Sequence, residues 1–86
     1  MSAETYTATV KPLGNRNGYE IRAYSNGRYE SKEVLTWRQA RRIARKAGFS
    51  EPETGATLYA RKMMVNLKER NENYKALVEQ TWWVTL

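Results

Sequence analysis

The residues with most to offer chemically are five cations in one short stretch, Thr36–Gly48, TWRQARRIARKAG. The stretch reads as a helix. Thr36 can cap its N-terminus, and Gln39 three residues on completes a capping-box pattern. Gly48 stands where a left-handed C-terminal residue belongs, and Phe49 behind it can fold back on the last turn. At about 100° per residue, Trp37, Ala40, Ile43, Ala44 and Ala47 share one arc, while Arg38, Arg41, Arg42, Arg45 and Lys46 fill the opposite one. One face is therefore apolar and built mainly of small residues, which favours close packing. The other is a cationic stripe without a carboxylate.

The charge is concentrated there. Residues 1–35 hold five cations and four Glu, and residues 49–86 hold five of each, so the stretch between them carries +5 of the total +6. A basic excess gathered on one helix face is the footprint expected of a phosphate-binding surface. The alternative is a solvated face whose long aliphatic stems lie over the core. Against it, cations with no Glu one turn away repel each other by a few tenths of a kcal/mol per close pair, and Arg38 sits in the first turn, where the helix dipole disfavours a cation.

Other chemistry is poorly supplied. The chain has no His, no Cys and no Asp, which removes the usual general base, the thiol nucleophile and the soft metal ligands. Neither a Gly-rich phosphate loop nor a metal-ligand spacing appears. No enzymatic activity is expected, and no cofactor or metal.

Three strands must position the helix. Residues 5–10, TYTATV, alternate, with Tyr6, Ala8 and Val10 on one face and Thr5, Thr7 and Thr9 on the other. A turn-rich loop, Pro12 to Gly18, carries Arg16. The second strand, Tyr19–Tyr24, turns Tyr19, Ile21 and Ala23 inward, and Ser25-Asn26-Gly27 leads into a third, Arg28–Leu35. Charge favours a three-residue loop that pairs Arg22 with Glu30 and Glu20 with Lys32 on the exposed face, with Tyr29 on the inner one. The shorter Asn-Gly loop is the commoner signal, but it would turn Glu30 and Lys32 inward.

After the basic helix, Ser50-Glu51-Pro52-Glu53 reads as a second helix start, weakened by Gly55. Tyr59, Ala60, Met63, Met64, Leu67, Tyr74, Leu77 and Val78 then fall in one arc, predicting a long helix from about Thr54 to Glu79, with a break at Asn71–Asn73 as the alternative. That stripe is core rather than a cofactor box. Leu58 and Val65 lie off it and are free to meet another surface. Thr81–Leu86, TWWVTL, reads as a final strand with either Trp82 or Trp83 outward, packed under another element or offered to a protein partner.

The expected architecture is α+β, in the order β-β-β-α-α-β, with a small antiparallel sheet and two helices packed on one face. Eighty-six residues suit one domain, 1–86, with a small core that leaves room for a homodimer. No apolar run reaches the roughly 18–20 residues of a membrane span, and no signal-peptide pattern opens the chain, so neither a span nor a leader is expected. Cysteine is absent, so a cytoplasmic protein is expected.

Residues 18–49, a strand–Asn-Gly–strand hairpin followed by Thr-x-x-x-Ala-x-x-x-Ala, resemble the small N-terminal DNA-binding domain of phage tyrosine integrases. They also resemble small phage-encoded inhibitors of the anti-CRISPR kind, in which a hairpin leads into a similar helix. The first resemblance implies DNA contact through the sheet face, here Arg22, Tyr24, Arg28 and Lys32. The second implies a host-directed inhibitor acting by protein contact on a nucleic-acid-handling complex.

The resulting expectation is a small stand-alone protein, plausibly phage-encoded, that binds nucleic acid through Arg38, Arg41, Arg42, Arg45 and Lys46. DNA is favoured over RNA, with little sequence preference. Arg16, Arg22, Arg28 and Lys32 are expected to extend the surface, with Tyr24 able to stack. The competing expectation is the inhibitor, docking on an acidic partner with Trp82 and Trp83 as contacts.

Overall fold

A computed structural model describes the backbone of residues 5–85 and the side chains of residues 5–72. Three strands, β1 (Tyr6–Pro12), β2 (Tyr19–Ser25) and β3 (Arg28–Leu35), precede two helices, α1 (Trp37–Lys46) and α2 (Pro52–Thr85). The strands form one antiparallel sheet in the order β1-β2-β3. The fold is α+β, as the periodicities require.

Alternation decides which face is buried. Tyr6, Ala8 and Val10 of β1 lie opposite Ser25, Ala23 and Ile21 of β2. This inner face packs on α2, and Ile21, Ala23 and Leu35 share one core cluster with Ala40, Ala56, Ala60, Met63 and Leu67. The outer face carries Thr7, Thr9, Lys11, Glu20, Arg22 and Tyr24 in alternate positions, with no helix over it among the described residues.

The hairpin register differs from the expected one. Ser25 pairs with Arg28, so the loop is the two-residue Asn26-Gly27, with φ of 52° and 77°. Two successive left-handed residues make the turn whose twist matches that of the strands. The extra residue sits further along, as a bulge in β3. Tyr24 pairs with Tyr29 but Ala23 pairs with Ser31, leaving Glu30 unmatched. The bulge returns Lys32 to the outer face, where the charge argument places it, but by a different route. Tyr29 consequently faces outward and meets Tyr24 edge-on at 6.3 Å. The expected Arg22–Glu30 pair does not form; Glu30 lies 3.9 Å from Arg70 of α2 instead.

The helices meet through small residues. Ala40 and Ala44 of α1 and Ala56 of α2 are fully buried. A Cβ on Gly55 would stand 1.8 Å from the Ala40 carbonyl oxygen and 2.9 Å from the Ala44 nitrogen. Gly55 thus sets the crossing of the two helices, a role its helix-weakening character does not reveal.

Helix α2 begins at Pro52, and the Glu51 carbonyl accepts the Thr54 N–H at 3.1 Å. It runs unbroken through Asn71–Asn73 to Thr85, so the expected final strand is absent and residues 81–85 are helical. The reason is legible in hindsight. No Gly or Pro follows Gly55, and Tyr74, Leu77, Val78, Thr81, Trp82 and Thr85 keep helical spacing to the end. The Asn71 side chain donates to the Tyr6 hydroxyl at 3.4 Å, at the first residue of β1, and α2 continues past that end of the sheet. Within the described part of the stripe, Ala60, Met63 and Leu67 are buried and Tyr59 and Met64 half-buried; off the stripe, Leu58 is half-buried and Val65 is exposed. The side chains of Tyr74, Leu77, Val78, Trp82 and Trp83 lie outside the described residues. Among the described residues, no helix is long and apolar enough to cross a membrane.

Candidate nucleic-acid interface

The seat of α1 is built by local rules. The Gln39 N–H donates to Thr36 Oγ1 at 3.1 Å, and the Thr36 N–H donates to Gln39 Oε1 at 2.9 Å, completing the capping box. At the other end, the Gly48 N–H donates to the Arg45 carbonyl at 3.0 Å and the Phe49 N–H to the Ala44 carbonyl at 2.9 Å. This pair of bonds is the Schellman termination. The Phe49 ring does not bury itself and is 52% exposed. Ala47 is the C-terminal cap and is exposed, so it falls out of the apolar arc.

With Ala40 and Ala44 pressed on Gly55 and Ala56, the opposite arc must face outward. Arg38, Arg42, Arg45 and Lys46 are exposed and Arg41 is half-buried. Together the five line a shallow hollow of about 360 Å³. The ion pairs among the described residues are Glu20 with Arg22, Glu20 with Lys32, and Glu30 with Arg70, so none involves the stripe. Arg45 and Lys46 lie in the last turn, where the helix dipole favours them, whereas no acidic residue balances Arg38 in the first.

Arg16 joins this surface. Its guanidinium carbon lies over the Trp37 ring, 5.3 Å from the centroid, and that of Arg41 lies over the same ring at 5.3 Å. Trp37 is half-buried and stands apart from the core cluster, although helical spacing puts it on the apolar arc. As the first residue of α1, it meets Arg16 of the β1–β2 loop.

The other expected contributors lie elsewhere. Arg22, Tyr24 and Lys32 point from the outer face of the sheet, on the side away from both helices, and Arg28 stands at the hairpin turn. The structure therefore separates two cationic surfaces that the sequence reading treats as one. On the outer face, Thr9, Lys11, Glu20, Arg22 and Tyr24 line a hollow of about 320 Å³. Glu20 is its one carboxylate. Arg22 Nε donates to Glu20 Oε1 at 3.0 Å and a second guanidinium nitrogen lies at 2.9 Å, while Lys32 Nζ is 3.8 Å away. The Arg22 hydrogen bond lowers the Glu20 pKa, with Arg22, Lys32 and Lys11 adding attraction, and Glu20 in turn raises that of Arg22.

Two residues of these surfaces escape the sequence reading. Lys11 continues the alternation of Thr7 and Thr9, which is signal enough to place it on the outer face. The part played by Trp37 has no sequence signal, because it depends on where a distant loop lands. The side chains of Trp82 and Trp83, the expected protein contacts, lie outside the described residues, and their backbone belongs to α2.

No family model, no curated protein and no solved structure matches this chain.

Proposed function

We propose that this protein binds the phosphate backbone of nucleic acid, DNA before RNA, through the outward arc of α1. The observation that carries the reading is the hollow lined solely by Arg38, Arg41, Arg42, Arg45 and Lys46, with no carboxylate paired to any of them among the described residues. Cations held this close repel one another and gain from a polyanion that lies across them. Guanidinium groups donate two parallel hydrogen bonds to a phosphate, and four of the five are Arg.

Such contacts position a backbone without reading bases. Gln39, the uncharged polar side chain of α1, has its Oε1 engaged by the Thr36 N–H, so the paired donor and acceptor that read a base edge are not both available. Binding should therefore be largely independent of sequence and steeply dependent on salt.

Fluorescence anisotropy with a labelled DNA duplex across a salt series tests this. Each phosphate contact contributes about 0.9 to the slope of log K against log salt. The folded Arg38/Arg41/Arg42/Arg45→Ala variant should lose most of both affinity and slope. Wild-type protein that ignores duplex DNA at low salt would overturn the DNA reading. The competing reading, an inhibitor docked on an acidic protein, draws on Phe49, exposed beside the C-terminal end of the stripe. It predicts that Phe49→Ala weakens the interaction as much as loss of an arginine does.

A further inference from the structure

We propose that Trp37 is a positioning residue that holds Arg16 and Arg41 as a preformed clamp for the backbone phosphates of a nucleic-acid duplex. The inference rests on the nucleic-acid reading above and says which part of that surface is organised before binding, and for which form of the ligand.

The clamp begins in the β1–β2 loop. Gly14, Asn15 and Arg16 are three successive left-handed residues, with φ of 74°, 47° and 57°. The last two carry side chains, for which this region is unfavourable. The loop is closed by the Leu13 N–H donating to the Gly18 carbonyl at 3.0 Å and the Asn17 N–H donating to the Gly14 carbonyl at 2.9 Å. Gly18 then anchors it against the start of α1, since a Cβ there would stand 2.2 Å from the Leu35 carbonyl oxygen. A strained residue persists where its surroundings over-determine it, and such residues gather at binding sites. Here the strain places Arg16 beside a helix that is already crowded with positive charge.

Trp37 gives both guanidiniums a reason to stay. An indole face attracts a cation more strongly than other side-chain rings do. Arg41 reaches it from one turn along α1, and Arg16 from the loop. Each guanidinium carbon is 5.3 Å from the same centroid, so the two lie no more than twice that distance apart. No acidic group of the described residues pairs with either. A guanidinium that lies over a ring keeps its N–H edges free, which is the geometry that grips a phosphate.

The same arrangement specifies the ligand. A single strand is held largely by bases that stack on exposed aromatic faces. The Trp37 ring is already covered by two cations, so this end of α1 offers charge rather than a stacking platform. A duplex turns its bases inward and its phosphates outward, which matches that offer.

The test is a substitution that removes no charge. Trp37→Leu leaves the Thr36–Gln39 capping box and all the cations in place. If Trp37 positions Arg16 and Arg41, its loss should lower the salt slope for a duplex by about 0.9–1.8, the equivalent of one or two phosphate contacts. Arg16→Ala should lower the slope by about 0.9 in the wild-type chain and by much less in the Trp37→Leu chain. Trp37→Phe, which keeps a ring, should recover most of the slope. Nuclear magnetic resonance of the free protein gives a second readout: ring-current shifts on the Arg16 side chain, lost in Trp37→Leu.

The outcomes separate the two readings. A wild-type chain that binds the duplex, beside a folded Trp37→Leu chain with the same slope, overturns the clamp and spares the parent reading. Tighter binding to a single strand than to a duplex of equal length, weakened by Trp37→Leu at unchanged slope, would mean that bases stack on the indole, and would also overturn the clamp. Absence of binding by the wild-type chain to either form removes both readings.

Discussion

The outward arc of α1 and the outer face of the sheet are both rich in cations, and they differ by one carboxylate. On the sheet, Arg22 and Lys32 converge on Glu20, whose side chain is 14% exposed and touches both. On the helix, five cations share a hollow with no acidic partner among the described residues. On the sheet face Glu20 engages two of the cations, whereas no cation of the helix face has such a partner among the described residues. Counting cations would rank the two surfaces as similar. The positions of the carboxylates distinguish them, because a phosphate approaching Arg22 must compete with a carboxylate oxygen already held by two of its nitrogens.

The comparison breaks most completely if the helix surface is unseated without touching a charge. Gly55→Ala gains about 1 kcal/mol of helix propensity but drives a Cβ to 1.8 Å from the Ala40 carbonyl oxygen. Backbone against backbone cannot yield as a side chain can. We expect a net loss of stability on the order of 3 kcal/mol, the upper range for overpacking, read as a lower urea midpoint. Displacement of α1 should weaken duplex binding along with it. A variant as stable as wild type would show that the helix crossing is not set by Gly55.

A smaller effect compares single cations across the two surfaces. Arg42→Ala should lower the salt slope by about 0.9. Arg22→Ala should leave the slope nearly unchanged, since that guanidinium is engaged by Glu20. Equal losses from the two variants would erase the distinction drawn here. Smaller again is Glu20→Gln, which releases Arg22 and Lys32. In the chain lacking the α1 arginines it should strengthen residual binding, by less than about fivefold, the scale of a surface ion pair.

The smallest expected effect is on acid stability. The neighbouring cations, Arg22 first, hold the Glu20 pKa below its unfolded value. A carboxylate of this kind stabilises the fold above its unfolded pKa, and the contribution is lost as pH falls through the lowered folded value. Urea midpoints between neutral and acidic pH should therefore fall less steeply for Glu20→Gln than for wild type. Parallel curves would show that the Glu20 cluster contributes nothing to folding.

Much of this was legible because the rules involved are local. A capping residue and its partner three positions on, a helix arc, and an alternating strand each span a few residues, so Thr36, Gln39, Ala40, Ala44 and Gly48 announce α1 and its two faces. The strand periodicities likewise put Ile21 and Ala23 in the core and Arg22 outside it. The hairpin shows where local reasoning falls short. Lys32 belongs outside, but nothing near it says whether the extra residue lies in the loop or as a bulge at Glu30. The end of α2 shows the reverse failure. Two adjacent Trp and a β-branched neighbour invite a strand, while the absence of a helix stop after Gly55 keeps the chain helical through Thr85.

The sequence by itself determined the fold class and the placing of nearly all the excess charge on one side of one helix, since both follow from spacing along the chain. Tertiary structure alone decided three things: that Gly55 is the seat of that helix, that Arg16 and Arg41 share the Trp37 ring, and that Arg22 and Lys32 belong to a different surface from the stripe. The first two turn on meetings of residues far apart in the chain, Gly55 with Ala40 and Arg16 with Trp37, and the third on which face of the sheet is covered. Such meetings depend on strand register and backbone approach, which no short window of residues contains.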